Sequence, residues 1–174
     1  MSVRALAAGF AAGLAALLLA PPARADACDA LTVRLIRATG ASLVGRIGPL
    51  VVFRAADAER FRLRCASPLT LLFRSAEREP PGATFVLIGQ AARALTGAPE
   101  AAVETLSRQL HQDSLLTGEP QVGRVGGAVI RCDPGDRPDG FGLGTLCRVA
   151  ADRPQGNRER LRRKAGLSAE ATAG

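Results

Sequence analysis

Four cysteines, Cys28, Cys65, Cys132 and Cys147, constrain this 174-residue chain more than any other feature. No Cys-x-x-Cys pair is present and His111 is the only histidine, so the tight ligand spacings of a zinc site are missing. An even cysteine count in a chain with an export signal points instead to two disulfides. In GGAVIRC (126–132), Ala128, Ile130 and Cys132 share one parity. In GFGLGTLCRVA (140–150), Phe141, Leu143, Thr145, Cys147 and Val149 share another. Both cysteines therefore fall on the apolar face of a strand, which predicts a Cys132–Cys147 bridge and leaves Cys28 to pair with Cys65.

The export signal lies at the N-terminus. Met1 to Arg4 is a short positive start, Ala5 to Ala20 is continuously apolar, and Pro21-Pro22 precedes an Ala23-Arg24-Ala25 cleavage pattern. This is the layout of a secretory signal peptide over residues 1–25, and the apolar run is short for a bilayer span. The remaining 149 residues suffice for one core and contain no later apolar stretch long enough to cross a membrane. A periplasmic or secreted chain, not membrane-spanning after cleavage, is expected.

Charge is easily over-read here. Of 23 basic residues only Lys164 is lysine, a bias that an alanine- and glycine-rich composition can carry without selection for binding. Residues 26–150 hold 15 arginines against 13 acids, a net of +2, whereas residues 151–174 hold six basic residues against three acids, a net of +3. With no Trp or Tyr to stack bases and an export signal in front, a nucleic-acid surface is not expected.

Periodicity supplies the elements. Cys28, Leu31, Thr32, Leu35 and Ile36 share a helical face ending at Thr39-Gly40. Residues 43–74 read as strands, most clearly RFRLRC, where Phe61, Leu63 and Cys65 alternate with Arg60, Arg62 and Arg64. LVVF (50–53) and LTLLF (69–73) are its expected neighbours. After a polar connector (75–82), Phe85, Ile88, Ala92 and Leu95 mark a second helix. Pro99 opens a third, whose inward stripe is Val103, Leu106 and Leu110. VGRIGPLVVFR (44–54) also resembles VGRVGGAVIR (122–131), suggesting two copies of a helix–strand–strand unit.

Four candidate sites follow. CDPGDRPDGFGLGTLC (132–147) carries Asp133, Asp136 and Asp139, a conceivable calcium loop. However, their spacing of three and the missing terminal Glu depart from the EF-hand pattern. Its glycines are followed by β-like sequence, not the helix a phosphate cradle requires, so Asp-Pro-Gly-Asp and Pro-Asp-Gly read as turns. His111, near Ser107, Asp113 and Ser114, permits a hydrolase reading, although a histidine near a helix C-terminus is more simply a surface or capping residue. The arginine strip Arg60, Arg62 and Arg64, extended by Arg54 and Arg74, is the strongest binding candidate, able to meet an acidic envelope protein or an anionic envelope polymer.

The expected architecture is a single α+β domain over residues 26–150. It has a mostly antiparallel sheet, helices on one face, two disulfides and a disordered basic C-terminal tail over 151–174. The expected function is a non-enzymatic binding or envelope-associated module, without cofactor or metal. The alternatives are a small hydrolase centred on His111 and a calcium protein using Asp133, Asp136 and Asp139.

Overall fold

Alternation along the strands places apolar residues on one sheet face, and three helices bury that face. The structure is a computed structural model that describes residues 24–136 and 143–152. Residues 1–23, which hold most of the expected signal peptide, residues 137–142 with Asp139, and residues 153–174 of the expected tail lie outside the described residues. Helix α1 (Arg24–Thr39) leads into strands β1 (Ser42–Ile47), β2 (Leu50–Ala55), β3 (Ala58–Arg64) and β4 (Thr70–Ser75). Helices α2 (Gly82–Thr96) and α3 (Glu100–Thr117) follow, then β5 (Gln121–Val125), β6 (Ala128–Asp136) and β7 (Leu143–Ala151). The seven strands form one sheet in the order β1-β2-β3-β4-β7-β6-β5, every pair antiparallel.

Two cross-strand rows form the floor of the core. Phe53, Phe61, Phe73, Cys147 and Cys132 stand directly opposite one another on successive strands, and Val51, Leu63, Leu71, Val149 and Ile130 form the parallel row. All ten are buried, as cross-strand neighbours on a covered face should be. The phenylalanine rings stack, with centroids 4.7 Å and 4.8 Å apart. Helix α2 lies over β4 and β7, α3 over β5 and β6, and α1 against α2. Helix α1 contributes Leu31 and Leu35, α2 Phe85 and Ile88, and α3 Val103 and Leu110.

Both predicted disulfides are present. Cys28–Cys65 ties α1 to the end of β3, and Cys132–Cys147 joins residues directly opposite on β6 and β7. Removing a bridge frees the unfolded chain more when the enclosed loop is longer. With a sequence separation of 15, the Cys132→Ala/Cys147→Ala variant should lose about 3 kcal/mol. With a separation of 37, the Cys28→Ala/Cys65→Ala variant should lose about 4 kcal/mol. Urea unfolding followed by far-ultraviolet circular dichroism measures both.

Two sequence readings need correction. The predicted turn Asp133-Pro134-Gly135-Asp136 is extended strand, paired with Leu146, Thr145, Gly144 and Leu143. Strand β5 pairs with β6 only as far as Cys132. Beyond that point β6 is an edge, where proline's missing N–H leaves no ladder bond unmade. The second concerns the repeated segments. They do form matching edge hairpins, β1–β2 turning at Gly48-Pro49 and β5–β6 at Gly126-Gly127. Gly126 and Gly127, at φ +54° and +84°, supply the left-handed pair that a tight hairpin favours. Yet Val51 faces the helices, whereas its aligned counterpart Val129 lies in the outer row with Ala150, Thr70 and Arg64. A one-residue offset exchanges the two faces of a strand, so the resemblance does not describe equivalent packing.

Gly144 accounts for part of the glycine-rich strip. A Cβ there would lie 2.5 Å from the Ser75 carbonyl oxygen, where β7 meets the chain leaving β4. Close backbone approach is thus what the missing side chain permits.

Candidate functional site

The outer sheet face, opposite the helices, gathers arginines from five strands. Because directly opposed residues share a face, the register gives three rows. The first holds Arg64, Thr70, Ala150, Val129 and Arg124, and the second Arg62, Leu72, Arg148 and Arg131. The third holds Arg60, Arg74, Leu146 and Asp133. The predicted strip Arg60, Arg62 and Arg64 is therefore one edge of a larger cationic face. Arg74 joins it directly opposite Arg60. Arg54 sits beside a register irregularity between Phe53 and Ala55 and is paired with Ser42.

Two features of this face bear on what it could bind. Arg60 stands opposite Arg74, and Arg131 opposite Arg148, and like charges in directly opposed positions are destabilising. Asp133 relieves one of these pairs. It is 9% exposed, lies 2.8 Å from the Arg131 guanidinium and is 3.6 Å from that of Arg148. Its hydrogen bond and its charge raise the Arg131 pKa. The other pair borders a shallow depression of about 110 Å³ lined by Arg60, Arg62, Leu72, Arg74 and Leu146. Within it, the buried Nε of Arg62 has no hydrogen-bond partner among the described residues, a donor set for an acceptor the fold itself does not supply.

Of the three aspartates, only Asp133 has a described side chain. Asp133 points its carboxylate at arginines, Asp136 ends β6, and Asp139 lies outside the described residues. Among the described residues, no group of three or more His, Cys, Asp or Glu is arranged to hold a metal ion.

His111 is not the surface or capping residue its position suggested. It is 3% exposed, on the buried side of α3 with Ser107 and Ser114. Its ring lies 5.6 Å from that of Phe85, and Nδ1 is 3.4 Å from the Thr145 hydroxyl on β7. The neighbouring serines are occupied with backbone: Ser107 Oγ donates to the Glu104 carbonyl and Ser114 Oγ to the His111 carbonyl. Neither is disposed as a nucleophile toward the imidazole. The missed signal was the polar stripe Ser107, His111 and Ser114 at helical spacing, small enough to lie against a sheet.

Burial lowers the His111 pKa below its usual 6.5, opposed by the Arg78 backbone and the charge of Glu79. The unfolded chain therefore binds the proton first as pH falls, and folding stability declines below about pH 6.5 toward the folded value. The His111→Gln variant should lack this part of the slope, as denaturant midpoints between about pH 5.5 and 7.5 would show.

No family model, no curated protein and no solved structure matches this chain. Fold and site together define an α+β, disulfide-bonded domain whose sheet is covered by helices on one face and lined with arginine on the other.

Proposed function

We propose that this chain is an exported, non-enzymatic binding module whose outer sheet face holds a linear anionic polymer of the cell envelope. The observation that carries the reading is the gathering of Arg60, Arg62, Arg64, Arg124, Arg131 and Arg148 on one sheet face, with the buried Nε of Arg62 lacking a hydrogen-bond partner among the described residues. Guanidiniums gathered on one face attract a polyanion and bond its oxygens in pairs. Along β3, Arg60, Arg62 and Arg64 recur every second residue, a spacing of roughly 6.5–7 Å, so one extended anionic chain can meet all three. Leu72 and Leu146, between the arginines, exclude water from the contacts and so strengthen them. The N-terminal export pattern and two disulfides support an oxidising compartment outside the cytoplasm. Among the described residues no helix is long and apolar enough to cross a membrane.

Titration with inorganic polyphosphate, and with a neutral polymer of equal length, tests the reading. Saturable binding to polyphosphate that weakens steeply with salt is expected, with none to the neutral chain. Absence of binding at low ionic strength would contradict it.

A further inference from the structure

A second cavity, of about 510 Å³, opens between the connector that follows β4 and helices α2 and α3. Its size falls within the usual range of small-molecule pockets. Four independent features meet in its wall. Helix α2 begins at Gly82 behind Pro81, with no side-chain capping bond and no acidic residue in its first turn. The first N–H groups of a helix lack intrahelical acceptors and carry its positive dipole end, so an anion there is favoured. Arg108 reaches in from α3, its guanidinium 5.7 Å from the centre of the Phe85 ring and anchored 2.7 Å from Glu104. Its terminal nitrogen would be only 3.7 Å from a Cβ placed on Gly82, next to the start of α2. Arg78, an exposed residue of the connector, is also part of the wall.

The remaining feature is His111, which forms part of the wall although almost wholly buried. Nδ1 faces Thr145, and Nε2 has no hydrogen-bond partner among the described residues. Either tautomer leaves Nε2 an unserved polar atom, and buried polar atoms are normally satisfied. Apolar surface comes from Phe85, Leu115 and Leu116, the last 84% exposed. Glu79 lies in the wall and Glu104 is bonded to Arg108, so the site has room for a single negative charge and not for several.

We propose that this cavity is a binding site for a small organic monoanion, an acid head group carrying a short apolar body. The head group sits at the start of α2 between Arg78 and Arg108, and the body lies against Phe85, Leu115 and Leu116, with His111 closing the inner wall. This site is separate from the arginine face and does not depend on it.

The only histidine in the chain is a ready reporter. Imidazole resonances of the full chain should shift saturably on titration with octanoate and remain unmoved with octanamide, which has the same body without the charge. The Arg78→Gln/Arg108→Gln variant, checked for native circular dichroism, should bind octanoate about tenfold more weakly. The Arg60→Ala/Arg62→Ala/Arg64→Ala variant should bind it as the unmodified chain does. The proposal is overturned by any of three results: no shift with millimolar octanoate, an equal response to octanamide, or unchanged affinity in the folded double variant.

Discussion

Replacing Arg60, Arg62 and Arg64 with alanine is expected to weaken polyphosphate binding roughly a hundredfold at low salt while leaving the fold intact. The three side chains project from β3 away from the core, and their backbone pairings with β2 and β4 do not depend on side-chain identity. The Arg60→Ala variant should keep the stability of the unmodified chain to within about 0.5 kcal/mol, as exposed substitutions usually do, whereas a residue kept for structure would lower it. Any basic chain binds polyanions to some degree, so a charge-matched comparison is essential. The Arg158→Gln/Arg160→Gln/Arg162→Gln/Arg163→Gln variant removes four positive charges from the C-terminal segment, one more than the sheet variant. If charge count alone governed binding, the segment variant would bind worse. A specific face requires the reverse order, and isothermal titration at two salt concentrations separates the outcomes.

The Phe61→Ala variant should lose about 3–5 kcal/mol, a large share of the roughly 5–15 kcal/mol available to a domain of this size. Phe61 is fully buried between Phe53 and Phe73, stacked on both. Truncation opens a cavity at the centre of the row and removes two ring contacts, each worth about 0.5–1.5 kcal/mol beyond area burial. Helices cover this row on one side and the sheet backbone closes the other, so little can collapse into the gap. The chain contains no Trp or Tyr, so circular dichroism is the suitable probe. A loss below about 1 kcal/mol in urea unfolding would mean that the phenylalanine row is not the centre of the core.

Much of this organisation is local enough to be read from sequence. RFRLRC announces both faces of β3 in six residues, because side chains alternate strictly along a strand. The same parity placed Cys132 and Cys147 on the core side, and the bridge between them follows. The end of α1 was legible through Thr39-Gly40, where Gly40 adopts positive φ, as Gly97 and Gly118 do after α2 and α3. The extent of the cationic face was not. Arg124, Arg131 and Arg148 join Arg62 and Arg64 only because β4 pairs with β7, a contact between residues 70 to 80 positions apart that no local pattern encodes. Asp133 misled for a related reason. Asp-Pro-Gly-Asp has turn composition, but pairing with β7 holds it extended; Asp133 then bonds Arg131, two residues earlier on the same face of β6, and reaches Arg148, which only the register brings near. His111 misled because a polar stripe on a helix looks solvent-facing until Thr145 and Phe85 are seen beside it.

If the outer sheet face, and not the helices, meets the polyanion, the contact is read most directly from arginine Nε–H resonances recorded during polyphosphate titration of the full chain. Arg60, Arg62, Arg64 and Arg148 should shift together and saturably, while Arg34 and Arg37 on α1 and Arg93 on α2 stay in place. Shifts concentrated on the helix arginines, or spread evenly over all of them, would contradict it.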